Sequence, residues 1–243
     1  MLIILPLALL IGVVLGALGS GGAILALPVL VYAGGLAPTS AIAVSQLVVG
    51  VASLFGGTLQ MISGNVSIRS AILYAAAGVP ATKIGTLIRE RLPENFLMGA
   101  FAAIIVVAGL RMLNHRPDSK AGLTHPVLSL SIAATVGLVT GMLGVGGGFL
   151  LVPAMIAFGG LPTRSAMATS LPVIALNSLS GAYQSQVLWR PHLDMALGFL
   201  GATLVGTFLG IRFAKSAPEA KLRAALAWTL VLVGLGVGAT SWF

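Results

Sequence analysis

The chain has no cysteine and only five acidic residues in 243. Without cysteine there is no disulfide, thiolate metal site or cysteine nucleophile. The acids Glu90, Glu94, Asp118, Asp194 and Glu219 fall between apolar runs or at their first residues, and the histidines His115, His125 and His192 fall between them. No carboxylate pair or histidine cluster therefore lies inside an apolar segment. That excludes the usual intramembrane proton relays and cation sites, metal and haem ligand sets, and the nucleophile–base pair an enzyme needs. The expectation is a protein that is not an enzyme, with no catalytic residue, metal or cofactor. Charge is scarce altogether: 7% of residues are charged and 58% hydrophobic, where soluble domains carry about 25% charged residues. At a mean hydropathy of +1.07 there is too little polar surface to face water, so the lipid bilayer is the expected partner.

The charge that remains is basic, with 13 Lys and Arg and a net charge of +8. In a soluble protein this would suggest nucleic acid. Here the basic residues occupy short loops, where they set membrane orientation, and no nucleic-acid partner is expected.

Apolar segments fall at 2–18, 23–35, 40–62, 70–88 and 94–112, then at 126–143, 148–160, 165–188, 193–211 and 220–241. Crossing the hydrocarbon core takes about 20 helical residues. Eight segments reach that scale; 23–35 and 148–160 are short, about 20 Å of helix each. Both follow clusters of glycine. Gly16-Ala-Leu-Gly19-Ser20-Gly21-Gly22 leads to Pro28, and Gly141-Met-Leu-Gly144-Val-Gly146-Gly147 leads to Pro153, each position displaced by 125. Further matches are looser: Pro38-Thr39 with Pro162-Thr163, Ala41–Ser45 with Ala166–Ser170, and Gly85-Thr86 with Gly206-Thr207. The reading is an all-α polytopic membrane protein of two homologous halves, 1–113 and 126–243, joined by a linker at 114–125. It has about eight full-length helices and two short, glycine-broken half-helices. Because 12–28 matches 137–153, which is no cleaved leader, the first segment is expected to belong to the fold. If all ten segments cross, the halves are inverted and nine of the Lys and Arg residues share one side against four. Re-entrant short arms would make the halves parallel. The positive-inside rule favours inversion.

Backbone that leaves the helical path inside a membrane must be buried in protein or line a wet cavity. Paired helix breaks in two halves are the sequence pointer to a transporter site, and exposed N–H groups at a new helix start favour an anion. The candidate binding residues are Gly19, Ser20, Gly21 and Gly22 with Gly144, Gly146 and Gly147. Ser45, Gln46, Thr169 and Ser170 are added because they open the segments after the short arms and offer hydroxyl and amide donors. Lys83, about 9 Å inside its segment end, is a charge at membrane depth. Each has a plainer reading: helix packing for the glycines, interhelical hydrogen bonds for the polar residues, snorkelling for Lys83. Gly12-x-x-x-Gly16, Gly137-x-x-x-Gly141, Gly206-x-x-x-Gly210 and Gly234-x-x-x-Gly238 read as packing contacts. Asn177, Gln60 and Gln184 read as interhelical bonds.

The duplicated G-x-x-G-x-G-G…P pattern, followed by Pro-Thr-x-Ala-x-Ala-x-Ser at Pro38–Ser45 and a form one residue longer at Pro162–Ser170, resembles the TauE/SafE (TSUP) family of sulfite exporters. The resemblance covers the whole chain. It implies a multi-pass transporter of the cell inner membrane for sulfite, sulfonate, thiosulfate or a related small anion, assembled by duplication. The expected mechanism is alternating access around an anion held near the midplane between the two breaks; the alternative is a passive anion channel. Assembly into a homo-oligomer is left open.

Overall fold

The computed structural model describes residues 4–89, 94–114, 126–143 and 150–240. Among them every regular element is helical. The 114–125 linker lies almost wholly outside the described residues, as does the second glycine cluster, Gly144 to Phe149.

The first half comprises α1 (Ile4–Leu18), α2 (Gly21–Pro28), α3 (Pro38–Ile62), α4 (Ile68–Arg89) and α5 (Glu94–Asn114). The second comprises α6 (Pro126–Leu143), α7 (Leu151–Ala157), α8 (Thr163–Gln184), a short α9 (Gln186–Trp189), α10 (Leu193–Ser216) and α11 (Glu219–Thr240). Proline and glycine explain most of the ends. Pro38 occupies the first turn of α3, where its fixed φ suits helix and its missing N–H costs nothing. Pro28 ends α2, and the chain widens into a π-helical turn, Val29–Ala33. Both short arms then close alike. Gly35 (φ 64°) and Gly160 (φ 61°) adopt the left-handed conformation, while Leu36 N–H bonds to Leu30 C=O at 3.2 Å and Leu161 N–H to Met155 C=O at 3.1 Å. This is the Schellman closure, twice, 125 residues apart.

The four most extensive helix pairs are α1 with α10, α4 with α6, α3 with α8 and α5 with α11, and each joins one half to the other. The halves are interlocked rather than side by side. Glycine makes two of these pairs close. A Cβ on Gly12 would strike the Thr203 carbonyl, one on Gly16 the Thr207 carbonyl, and one on Gly210 the Val13 carbonyl. A Cβ on Gly137 would strike Gly78, and one on Gly141 or Gly85 would strike the facing carbonyl of Thr82 or Leu138. In both pairs the partner number rises with the helix, so α1 and α10 run parallel, as do α4 and α6. In the other two pairs the partner number falls. Gly50 meets Leu179 and Gly57 meets Pro172, while Gly109 meets Ala227 and Gly234 meets Val106, so α3/α8 and α5/α11 are antiparallel. The packing reading of the four G-x-x-x-G pairs is borne out in place: a Cβ on Gly238 also reaches Ala102, at 3.4 Å.

These contacts correct one pairing. Gly85-Thr86 is not the equivalent of Gly206-Thr207. Thr82 faces Gly141 as Thr207 faces Gly16, and Gly85 meets Leu138 as Gly210 meets Val13, so the displacement of 125 continues through α4 and α10. The helix-start residues Ala37 (ψ 142°) and Pro162 (ψ 145°) keep it too, so Pro38 corresponds to Thr163. The extra residue that the Pro-Thr pairing implied disappears.

The interior centres on α3 and α8, with Val44, Val48, Ala52, Leu171 and Ile174 at 0–1% exposure. Outward-facing side chains are apolar too: Ile72, Leu87, Phe213 and Leu232 are each more than half exposed. An apolar shell around an apolar core suits lipid rather than water. By length and apolarity α3 and the α9–α10 run could each cross a bilayer unaided.

Candidate transport site at the first helix break

The first break is a two-residue turn. Gly19 takes φ 69°, a region costly to residues with a Cβ, and its N–H bonds to Leu15 C=O at 2.9 Å. Ser20 is helical again (φ −68°) and α2 starts at Gly21. The chain reverses here. A Cβ on Gly22 would lie 2.6 Å from the Ile11 carbonyl and as close to Leu15, which puts α2 back alongside the last turns of α1. Gly22 is therefore accounted for by backbone packing. Gly19 is required twice, for its conformation and for space: a Cβ there would stand 2.6 Å from Met167 C=O and 2.7 Å from Ser170 Oγ.

The break in the first half thus abuts α8 of the second. Ser170, fully buried, donates to Met167 C=O at 2.9 Å. Its equivalent Ser45 donates to Ile42 C=O at 2.8 Å, the same bond displaced by 125. Thr169 lies beside Ser170 but turns to α4, its hydroxyl accepting the Ser67 N–H at 2.9 Å. Gln46 accepts from the Ser185 hydroxyl at 3.3 Å, at the far end of α8. Ser20 is fully buried at the turn. Gly144, Gly146 and Gly147 lie outside the described residues.

The structure brings Gly19 against Ser170, with Ser20 next in the chain, turns Thr169 to α4 instead, and sets Ser45 and Gln46 apart from them. Antiparallel register puts Ser170 level with the region of Leu59 on α3, 14 residues from Ser45, or about 21 Å along the helix. A small anion cannot touch both serines, so one site shared by the two breaks does not fit. Lys83 stands on the exposed outer face of α4 with Ile84 and Leu87.

A shallow hollow beside the first break is lined by Ala17, Gln60, Arg164, Met167 and Lys215 among others. Arg164 is held there by Lys215 C=O at 3.0 Å and Ala217 C=O at 2.9 Å, the last carbonyls of α10, a favourable place for a cation. No group of His, Cys, Asp and Glu able to hold a metal occurs among the described residues. Two buried polar residues belong to no sequence motif: Ser53, on the α8-facing stripe of α3 with Gly50 and Gly57, and Tyr74 in α4. Comparing the halves would have exposed Tyr74, whose equivalent is Phe199.

A helical membrane protein with duplicated, interlocked halves and a chain reversal buried at their contact is the class these features define. The family model "Sulfite exporter TauE/SafE" matches residues 4–237, and the chain belongs to that family of membrane transporters. It is 31% identical to a probable membrane transporter protein of Xylella fastidiosa, over 85% of this chain and 84% of the relative. It is 24% identical to the probable membrane transporter protein YunE of Bacillus subtilis, over 96% and 95%, and 23% identical to YdhB of the same organism, over 97% and 98%. These relatives are named as transporters, not enzymes. No solved structure matches.

Proposed function

We propose that the protein is a multi-pass secondary transporter of the cell inner membrane that moves a small sulfur oxyanion, of the sulfite, sulfonate or thiosulfate kind, by alternating access. The observation that carries this reading is the seating of the Gly19 reversal from one half against Met167 and Ser170 of the other. A site built from both halves opens or closes when they rock against each other.

Two stations replace a single shared site in this reading. One comprises Gly19, Ser20 and Gly21 with Thr169 and Ser170, its approach flanked by Arg164 and Lys215, whose charge draws anions. The other, by the repeat, comprises Gly144, Gly146 and Gly147 with Ser45; Gln46, whose counterpart is Leu171, adds an amide next to Ser45 in the chain. The halves are proposed to be inverted in the membrane. Equivalent helices α3 and α8 run antiparallel, as do α5 and α11, which a rotation axis along the membrane normal would not produce. Inversion requires an odd number of crossings per half, so α2 with its π-helical turn, and its counterpart α7, would each traverse.

The test is sulfite flux in proteoliposomes. Saturable uptake that accelerates with sulfite on the opposite side, and that falls at least tenfold in Gly21→Leu and Gly146→Leu proteins that still fold, is the expected result. Flux linear in concentration without exchange would instead identify a passive anion channel.

A further inference from the structure

The helix pairings sort the helix ends into two faces. α1 runs parallel to α10, and α3 and α5 run antiparallel to α8 and α11. Arg164, at the start of α8, bonds the last carbonyls of α10. Its backbone N–H bonds Glu219, at the start of α11, at 3.3 Å, and Thr169 holds the start of α4. One face therefore gathers the ends of α1, α3, α5 and α10 with the starts of α4, α6, α8 and α11. It carries Arg69, Arg111, Arg164, Arg212, Lys215, Lys221 and Arg223, seven of the ten described Lys and Arg residues. Lys83, Arg89 and Arg190 lie toward the other face. The imbalance holds whatever the number of crossings, and by the positive-inside rule it makes the basic face cytoplasmic.

The hollow beside the first break lies on this face. Its walls come from both halves: Ala17, Gln60 and Asn65 from the first, Arg164, Met167 and Lys215 from the second. Met167 also carries the carbonyl that Gly19 abuts, and Ala17 is two residues before Gly19, so hollow and break share a wall. Gln60 is only 7% exposed. Its Oε1 accepts the Asn65 amide at 2.9 Å, while its Nε2 has no partner among the described residues. A buried donor left without a protein partner needs a reason. Arg164 gives one N–H from each of its two terminal nitrogens to the α10 carbonyls, which leaves other N–H groups of its five-donor fork for a ligand. Lys215 is exposed and has no carboxylate partner among the described residues. The acid nearest in this corner, Glu219, accepts the Arg164 backbone N–H, so two cations stand against one carboxylate.

We propose, resting on the carrier reading above, that this hollow is a cytoplasmic anion site that holds a small free oxyanion next to the Gly19 break. Gln60 Nε2 and the remaining Arg164 N–H groups donate to its oxygens, and Lys215 adds charge at the rim. Hydrogen bonds to ionised groups are the strong ones, and the amide wall supplies donors without a second buried charge. Because the amide wall belongs to one half and the cationic wall to the other, a bound anion ties the halves together on this side, and parting them releases it. A phospholipid phosphate offers the same oxygens. The hollow, however, is walled by Met167, Ile211 and Leu222 at 4–6% exposure, side chains that face the interior of the bundle rather than lipid.

The experiment is calorimetric titration of the purified full-length protein with sulfite. Gln60→Glu keeps the acceptor for Asn65 but puts a carboxylate oxygen where the donors were. Lys215→Gln removes the rim charge at an exposed position, and decides the matter if Gln60→Glu fails to fold. Lys221→Gln removes a charge from the same face outside the hollow. The first two should weaken sulfite binding about tenfold or more, and Lys221→Gln less than about twofold. Sidedness is read separately, since the chain has no cysteine of its own. Ser216→Cys, beside Lys215, should react with a membrane-impermeant maleimide only in inside-out vesicles, and Val187→Cys, in the turn before α10, only from outside the cell. Binding unchanged in Lys215→Gln, or weakened equally by Lys221→Gln, overturns the site, and labelling of Ser216→Cys from outside overturns its cytoplasmic placement. Short-chain phosphatidylglycerol that binds with the same variant pattern where sulfite does not would make the hollow a lipid headgroup site and overturn the proposal too. Sulfite flux in proteoliposomes that survives any of these results leaves the carrier standing. Wild-type binding with the expected variant pattern but no flux removes the carrier and keeps the anion site.

Discussion

The two halves are copies in packing and strangers in polarity. Gly12 and Gly16 meet α10 as Gly137 and Gly141 meet α4, Gly35 and Gly160 close the short arms alike, and Ser45 and Ser170 make one bond at equivalent positions. Against this stand Gln46 with Leu171, Thr169 with Val44, Tyr74 with Phe199, Asn177 with Ala52 and Lys83 with Phe208. A position kept in both copies serves the backbone approach that both need. A polar residue present in one copy is not needed for that shared approach. Thr169 shows the point: it caps the start of α4 at Ser67, whereas the equivalent α10 is entered through α9 and the 3-10 turn Arg190–His192 and has no such end to satisfy.

That contrast can be broken hardest at the shared glycines. Gly16→Leu and Gly141→Leu should each abolish folded protein or lower its stability by about 3 kcal/mol or more, because the obstacle is backbone on the facing helix; yield and thermal unfolding in detergent read it. Equal losses in the two would show the halves equivalent in packing, and a large difference would count against it. Next comes conformation. Gly19→Ala should cost about 1–3 kcal/mol and reduce sulfite flux, since strain and collision with Met167 and Ser170 coincide. Gly35→Ala and Gly64→Ala, with open space around them, should cost only the left-handed strain of about 1–2 kcal/mol and spare flux. If Gly35→Ala matched Gly19→Ala in both readouts, the close fit at the first break would matter little. Thr169→Val, which imports the first-half residue, should cost about 1 kcal/mol through the lost cap at Ser67, seen as a lower unfolding temperature. The smallest effect is expected at Lys83. Lys83→Phe imports the second-half residue onto an outward face and should leave stability and flux within about 0.5 kcal/mol and measurement error; a tenfold loss of flux would return Lys83 to the transport path.

Much of this was legible in the residues. The short arms at 23–35 and 148–160 are found as α2 with its π turn and as α7, and Pro38 starts a helix as its ring dictates. Ser45 and Ser170 form an equivalent pair as the spacing of 125 suggested. Two things were not legible. One was the continuation of that spacing through α4 and α10, where similar dipeptides such as Gly85-Thr86 and Gly206-Thr207 offered a false register. Only the facing backbone distinguishes true equivalents there, because in a chain this rich in glycine short matches recur by composition. The other was depth. Ser45 and Ser170 occupy matching places in sequence, yet the antiparallel seating of α3 on α8 sends them about 21 Å apart.

By itself the sequence determined the helical membrane class, the duplication, and the approximate extent of most helices. Those follow from hydropathy and from the local stereochemistry of glycine and proline, which act within a few residues. The tertiary structure alone decided that the halves interlock, and that Gly22 serves packing while Gly19 faces the opposite half. Those are set by which helices lie together and in which direction, and apolar helices of similar composition carry no local mark of their partners.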